Sequence, residues 1–134
     1  MFLEKKINYE RSIFCRKTSL FIKKNINIRT IKTLKEISSK DYDAIIVGSD
    51  QIWRMYYFKM FFGSKCTDAF LMFSKNWNIK RLSYAASFGT DTIELSQEEI
   101  DECKSLVQSF NGISVREKCG VKICRDCFDV NAKW

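Results

Sequence analysis

Residues 81–115 limit the fold more than any other stretch of the chain. The run Arg81–Ser87, RLSYAAS, ends in small residues, and a second apolar run, GISV, covers Gly112–Val115. Between them lies a helix whose start is written out. Ser96 and Glu99 give the S-x-x-E pattern, in which a serine hydroxyl accepts from the third helical amide and the glutamate accepts from the serine amide. Ile100, Cys103, Leu106, Val107 and Phe110 then recur at helical spacing, so one face is apolar. A strand, a helix and a strand in so short a span make a βαβ unit, with parallel strands and a right-handed crossover. The earlier run Ala44–Val47 is apolar at every position, which predicts a strand buried on both faces. A further helix is predicted from about Glu117 to Phe128. The fold class expected is α/β: a Rossmann-like parallel sheet with flanking helices.

Weaker signals fill the rest. Ile13, Phe14, Leu20 and Phe21 fall at helical spacing among basic residues of the segment 8–24. IKTLKEIS (31–38) predicts a short helix with Thr30 as N-cap and Ile31, Leu34 and Ile37 on one face. Residues 52–80 are rich in aromatics. Within them Phe70–Phe73 is predicted as a short strand, hairpinned onto Arg81–Tyr84 across the Ser74–Lys80 turn. The 134 residues match one ordinary domain. The organisation expected is a basic helical segment, 1–40, followed by a partial Rossmann-like domain, 41–134.

The net charge of +7 is unevenly placed. Residues 1–40 hold 11 Lys/Arg against 3 Asp/Glu, so the basicity belongs to the N-terminal segment. Such a segment can touch an anionic membrane surface, or can simply be a solvated helix face. No aromatic platform is interleaved with the basic residues, so a nucleic-acid partner is not expected. Met1-Phe2-Leu3 runs at once into Glu4-Lys5-Lys6, which is no signal peptide, and no run reaches the length of a membrane span. A cytoplasmic location is expected, with peripheral membrane contact through the basic segment. Cys119, Cys124 and Cys127 form C-x4-C-x2-C, but the chain has no histidine, and spacings of five and three do not converge from one helix. Buried or half-buried free thiols are expected there, with no metal and no cofactor.

In an open parallel sheet, ligands bind beyond the carboxyl ends of the strands. Three such ends are visible: Gly48-Ser49-Asp50-Gln51, Ser87-Phe88-Gly89 and Arg116-Glu117. Glycine permits a tight turn or a close ligand approach. Ser49 and Gln51 can bond hydroxyls. Asp50 can act as a general base on a sugar hydroxyl, or can accept amides within the turn. Arg116 can bind a carboxylate or phosphate, or can pair with Glu117 or Asp126. Trp53 can stack on a sugar or fill the core. Neither the dinucleotide fingerprint G-x-G-x-x-G nor the phosphate loop G-x-x-x-x-G-K is present.

YDAIIVGSDQIW (Tyr42–Trp53), KRLSYAASFGTD (Lys80–Asp91) and ISVREKCGVKIC (Ile113–Cys124), in this order and with these gaps, closely resemble blocks of the polysaccharide pyruvyl transferase family. The similarity weakens back to about Phe14. The resemblance implies a fold similar to GT-B glycosyltransferases, in which two Rossmann-like domains face across a cleft. This chain would be part of the N-terminal one. It implies transfer of a pyruvyl group from phosphoenolpyruvate to a sugar in cell-surface polysaccharide synthesis. The acceptor, a sugar or polysaccharide, would meet Gly48–Gln51 and Ser87–Gly89. Phosphoenolpyruvate would sit mainly in a C-terminal domain not included in this sequence, so a fragment inactive by itself is expected. Asp50 is then the expected catalytic residue, and Gly48, Ser49, Gln51, Ser87 and Arg116 are expected to bind substrate. A degenerate sugar- or partner-binding module without chemistry is the alternative.

Overall fold

The computed structural model describes residues 13–48, 50–63 and 65–134. The chain divides into two compact units between Thr33 and Leu34. The first holds helix α1, Arg16–Asn25, which buries none of its residues and leaves Leu20 and Phe21 exposed beside Lys23 and Lys24.

The second unit is a three-stranded parallel sheet, β1 (Ala44–Gly48), β2 (Lys80–Ala86) and β3 (Gly112–Val115), in the order β1-β2-β3. Between β1 and β2 run α2 (Met55–Phe62) and the single turn α3 (Cys66–Ala69); α4 (Gln97–Gln108) joins β2 to β3, and α5 (Lys118–Phe128) follows. This all-parallel open sheet with flanking helices is a Rossmann-like arrangement. The α4 start forms as its sequence dictates. Ser96 Oγ accepts from the Glu99 amide at 3.2 Å, and Glu99 Oε2 accepts from the Ser96 amide at 3.1 Å. The apolar stripe of Ile100, Cys103, Leu106 and Val107 is buried. The core joins it to Trp53, Phe70, Phe88 and Phe128. The Trp53 ring lies 5.4 Å from Phe70 and 5.2 Å from Phe88, and its Nε1–H donates to the Ala69 carbonyl. Trp53 is therefore a core residue, not a sugar platform.

Three expectations change. β1 is not buried on both faces. Among the described residues it is an edge strand, with Ile46 62 % exposed; Tyr84 of the neighbouring β2 is 74 % exposed. An all-apolar run cannot by itself distinguish a central strand from an edge one. Phe70–Phe73 is not a strand. Leu71 takes a left-handed conformation (φ 62°), and Met72–Ser74 forms a 3₁₀ turn. β2 is already paired on both edges, by β1 and by β3, so it has no edge left for a hairpin partner. The connecting turn is gathered around Arg81, whose buried guanidinium donates to the Ser74 carbonyl, to Ser74 Oγ at 3.2 Å and to the Trp77 carbonyl at 3.1 Å. Lastly, the helix predicted over 31–38 is only a 3₁₀ turn, Leu34–Glu36. Ile31, Leu34 and Ile37 are nonetheless all half-buried, since a spacing of three also suits a three-residue turn.

One irregularity sits in the central strand. Pairing moves from Ser83↔Ile113 to Ala86↔Val115, three residues on β2 against two on β3. The extra residue makes a bulge, with Ala85 at φ 49°. Ser83 Oγ accepts from the Ser114 amide and donates to its carbonyl, both at 3.1 Å, and Ser114 Oγ accepts from the Ala85 amide at 2.9 Å. Side-chain hydroxyls thus replace the lost ladder bonds. Bulges and strained residues of this kind re-aim a strand where it meets a functional loop, and here the strand continues directly into Ser87.

Candidate functional site

The three strand ends lie side by side because the strands are parallel and in register. The amide of Trp53 donates to the Ser87 carbonyl at 3.0 Å, and the Arg116 amide to the Ala86 carbonyl at 3.0 Å. These backbone bonds tie each end to the next.

Gly48 is required by packing between strands, not by the turn. A Cβ at this position would overlap the Tyr84 carbonyl oxygen. The left-handed residue of the corner is Asp50, at φ 37°, a conformation aspartate tolerates better than most residues. Ser49 lies outside the described residues. Gln51 Oε1 accepts from Arg54 Nη1 at 3.1 Å. Gly89, at φ 70°, faces this pair so closely that a Cβ would stand 2.8 Å from Arg54 Cδ and 2.9 Å from Gln51 Cδ.

Ser87 is fully buried and is the junction of the site. Its Oγ accepts from the Gly89 amide and from Arg116 Nη2, each at 3.0 Å, and donates to Glu117 Oε1. Arg116 reaches Asp50 Oδ1 at 3.7 Å through Nη1 and Glu117 Oε1 at 3.5 Å through Nε. Its carbonyl accepts from the Trp134 indole at 3.0 Å, and Lys118 Nζ sits 4.4 Å from that ring's centroid. The fork geometry of a guanidinium lets one side chain span all three partners, which a lysine could not do.

Of the expected site residues, Asp50, Ser87 and Arg116 are brought together. Gln51 points to Arg54 instead, and Gly48 shapes the backbone. Asp126 pairs with Arg125, leaving Arg116 to the strand ends. Glu117 and Arg54 carry more of the geometry than their motifs announced. The one sequence signal for Glu117 is its place immediately after Arg116 at a strand end. Arg54 has none. It is set by its contacts across the fold, with Glu94 at 3.5 Å and the Tyr57 ring centroid at 4.3 Å.

Beside the corner, between it and α2, lies a cleft of about 300 Å³ lined by Gly48, Asp50, Gln51, Ile52, Tyr57, Phe58 and Phe61. On α5, Cys124 is buried and Cys119 and Cys127 are half-buried. Burial pushes the Cys124 thiol up to about 12, so it stays neutral at ordinary pH. Among the described residues, no three His, Cys, Asp or Glu side chains are placed to share a metal ion.

The family model for polysaccharide pyruvyl transferases matches residues 2–132. The chain belongs to the polysaccharide pyruvyl transferase family. The match runs well beyond the three blocks that carry the resemblance and reaches into the N-terminal segment, where no similarity was expected before Phe14. No curated protein and no solved structure matches the chain. The family places the protein among transferases with a sugar or polysaccharide acceptor. Among the described residues, no helix is long and apolar enough to cross a membrane.

Proposed function

We propose that the strand-end corner binds a sugar acceptor and takes part in pyruvyl transfer to it from phosphoenolpyruvate, in the synthesis of a cell-surface polysaccharide. The observation that carries this reading is the Asp50–Arg116 pair, 3.7 Å apart, set over Ser87 at the carboxyl ends of the three strands. A carboxylate to take a hydroxyl proton and a guanidinium to hold an anion then stand side by side, which supports this reading.

In this reading Asp50 takes the proton of the attacking sugar hydroxyl as its oxygen adds to C2 of the enolpyruvyl group. A proton adds to C3, converting the methylene to a methyl group. Attack by a second hydroxyl at C2 closes the ketal as inorganic phosphate departs with the remaining proton. Arg116 holds the donor's carboxylate or phosphate, and Ser87 and Glu117 hold Arg116. Gln51 and the Gly48 backbone line the acceptor side. Phosphoenolpyruvate has its main site on a facing Rossmann-like domain, in a GT-B arrangement. The basic segment, 1–40, docks on anionic membrane through α1, with Lys23 and Lys24 beside exposed Leu20 and Phe21, and keeps the protein cytoplasmic and membrane-peripheral. Binding to anionic vesicles that is insensitive to salt would count against that docking.

The test is phosphate release and ketal formation from phosphoenolpyruvate with defined saccharides by the complete gene product, compared with its Asp50→Asn and Arg116→Ala variants. Loss of both products in the two variants supports the assignment; unchanged transfer in Asp50→Asn overturns it. A sugar-binding module without chemistry is the second reading. The exposure of the Asp50 carboxylate favours it, because a base so well solvated is not preorganised. Sugar binding by the complete gene product, with no transfer under any condition, would select it.

A further inference from the structure

A pyranose presents two kinds of surface. Its hydroxyls ring the edge, while its C–H bonds gather on a face, so a sugar site needs hydrogen-bonding groups beside an aromatic ring. The cleft beside the corner has both. Asp50 and Gln51 form its polar side. Tyr57 and Phe61, one helical turn apart on α2, form the other, with ring centroids 5.9 Å apart and planes tilted by 53°, so one ring can stack on the sugar face while the other meets its edge.

Phe61 is 71 % exposed and Tyr57 is half-buried, while Phe58, which also lines the cleft, is buried and belongs to the core. Exposure of so large an aromatic surface is unfavourable unless something covers it. The wall is also held in place. The Arg54 guanidinium lies 4.3 Å from the Tyr57 centroid and donates to Gln51 Oε1, so one arginine fixes an aromatic face and the polar group beside it. A volume of about 300 Å³ is at the lower end for small-ligand sites and suits one ring of a chain, not a stretch of polymer.

We propose that Tyr57 and Phe61 are the platform on which one pyranose of the acceptor stacks, with Gln51 and Asp50 at its hydroxyl edge. The proposal rests on reading the corner as the acceptor site. It adds the residues that select a ring with one apolar face, and it predicts that the stacked ring is the one carrying the reacting hydroxyl, because Asp50 belongs to both the cleft and the strand-end pair.

Saturation-transfer NMR on the full chain tests it, with methyl β-glucopyranoside, methyl β-galactopyranoside and methyl β-mannopyranoside as probes and irradiation of the aromatic protons. At least one probe should receive saturation mainly at the ring C–H protons of a single face. Phe61→Ala and Tyr57→Ala should weaken its binding at least about fivefold, while Tyr57→Phe keeps it. Thermal unfolding of each variant separates lost stacking from lost folding. No transfer to any of the three glycosides overturns the platform. So does undiminished binding in the two alanine variants, or competition by cyclohexanol as strong as by the glycoside, which would mark a plain apolar groove. Failure here is distinct from failure of the pyruvyl-transfer reading. Unchanged KM for the sugar in Phe61→Ala, with transfer still abolished by Asp50→Asn, removes only the platform; single-face stacking without any transfer removes only the chemistry.

Discussion

Asp50 and Trp53 stand three residues apart and have opposite surroundings. The Asp50 carboxylate is 90 % exposed, while Trp53 is 2 % exposed and packed against Phe70 and Phe88. One short segment therefore crosses from solvent to the middle of the core. The difference teaches how the corner is built. The tryptophan and the backbone bond from its amide to Ser87 fix the loop from behind, so the polar residues in front need few contacts of their own. Stability lies on one side of the segment and the proposed chemistry on the other.

Substitutions can break that division or sharpen it. Trp53→Ala should have the largest effect, a loss of about 3–5 kcal/mol in denaturant unfolding, because it empties a packed aromatic site and orphans the Ala69 carbonyl. A loss under about 1 kcal/mol would mean that the corner is not held from behind. Asp50→Asn should do the reverse. It should lower the proposed transfer by about 100-fold or more while changing stability by less than about 0.5 kcal/mol. Comparable losses of both would join the two regions into one.

Two smaller effects lie at the start of α4, away from the corner, and serve as controls. Ser96→Ala should cost about 1 kcal/mol by removing the cap, with no change in sugar binding. The Lys59–Glu99 contact should contribute less than about 1 kcal/mol, because both groups are largely solvated. The bond from Lys59 holds the Glu99 carboxyl below its usual range, helped by the Ser96 amide. Its contribution is thus present above the unfolded carboxylate value and is lost as pH falls through the lower folded value. Lys59 is raised, chiefly by the same bond, so its part is present below the unfolded lysine value and is lost only as pH rises through the folded one. Glu99→Gln keeps the cap and should flatten the acid side of a melting-temperature profile. An unchanged profile would remove the contact from the account.

Much of the fold was legible. The capping box and the stripe behind it placed α4, and with it the parallel pairing of β2 and β3, because these signals act within one turn or one strand. That the three strand ends meet was legible too, since neighbouring parallel strands end on one side of the sheet. Arg54 and the Tyr57–Phe61 wall were not legible, because no local spacing says which face of an aromatic-rich helix turns toward a cleft.

The sequence by itself determined which segments become β1, β2, β3, α4 and α5, through hydrophobic period and capping. It also carried family membership through the order of its blocks. Only the tertiary structure decided that β1 lies at the edge of the described sheet, that β2 is paired on both sides and has no room for a hairpin, and that Arg81 gathers the Ser74 and Trp77 carbonyls. It alone assigned Trp53 to the core and brought Arg116 to Asp50. Each of these depends on which groups compete for one buried arginine or one interior volume, and that competition is settled between residues far apart in the chain. DAIIVGSDQIW specifies a strand and a turn; the partners of its aspartate and its tryptophan come from elsewhere.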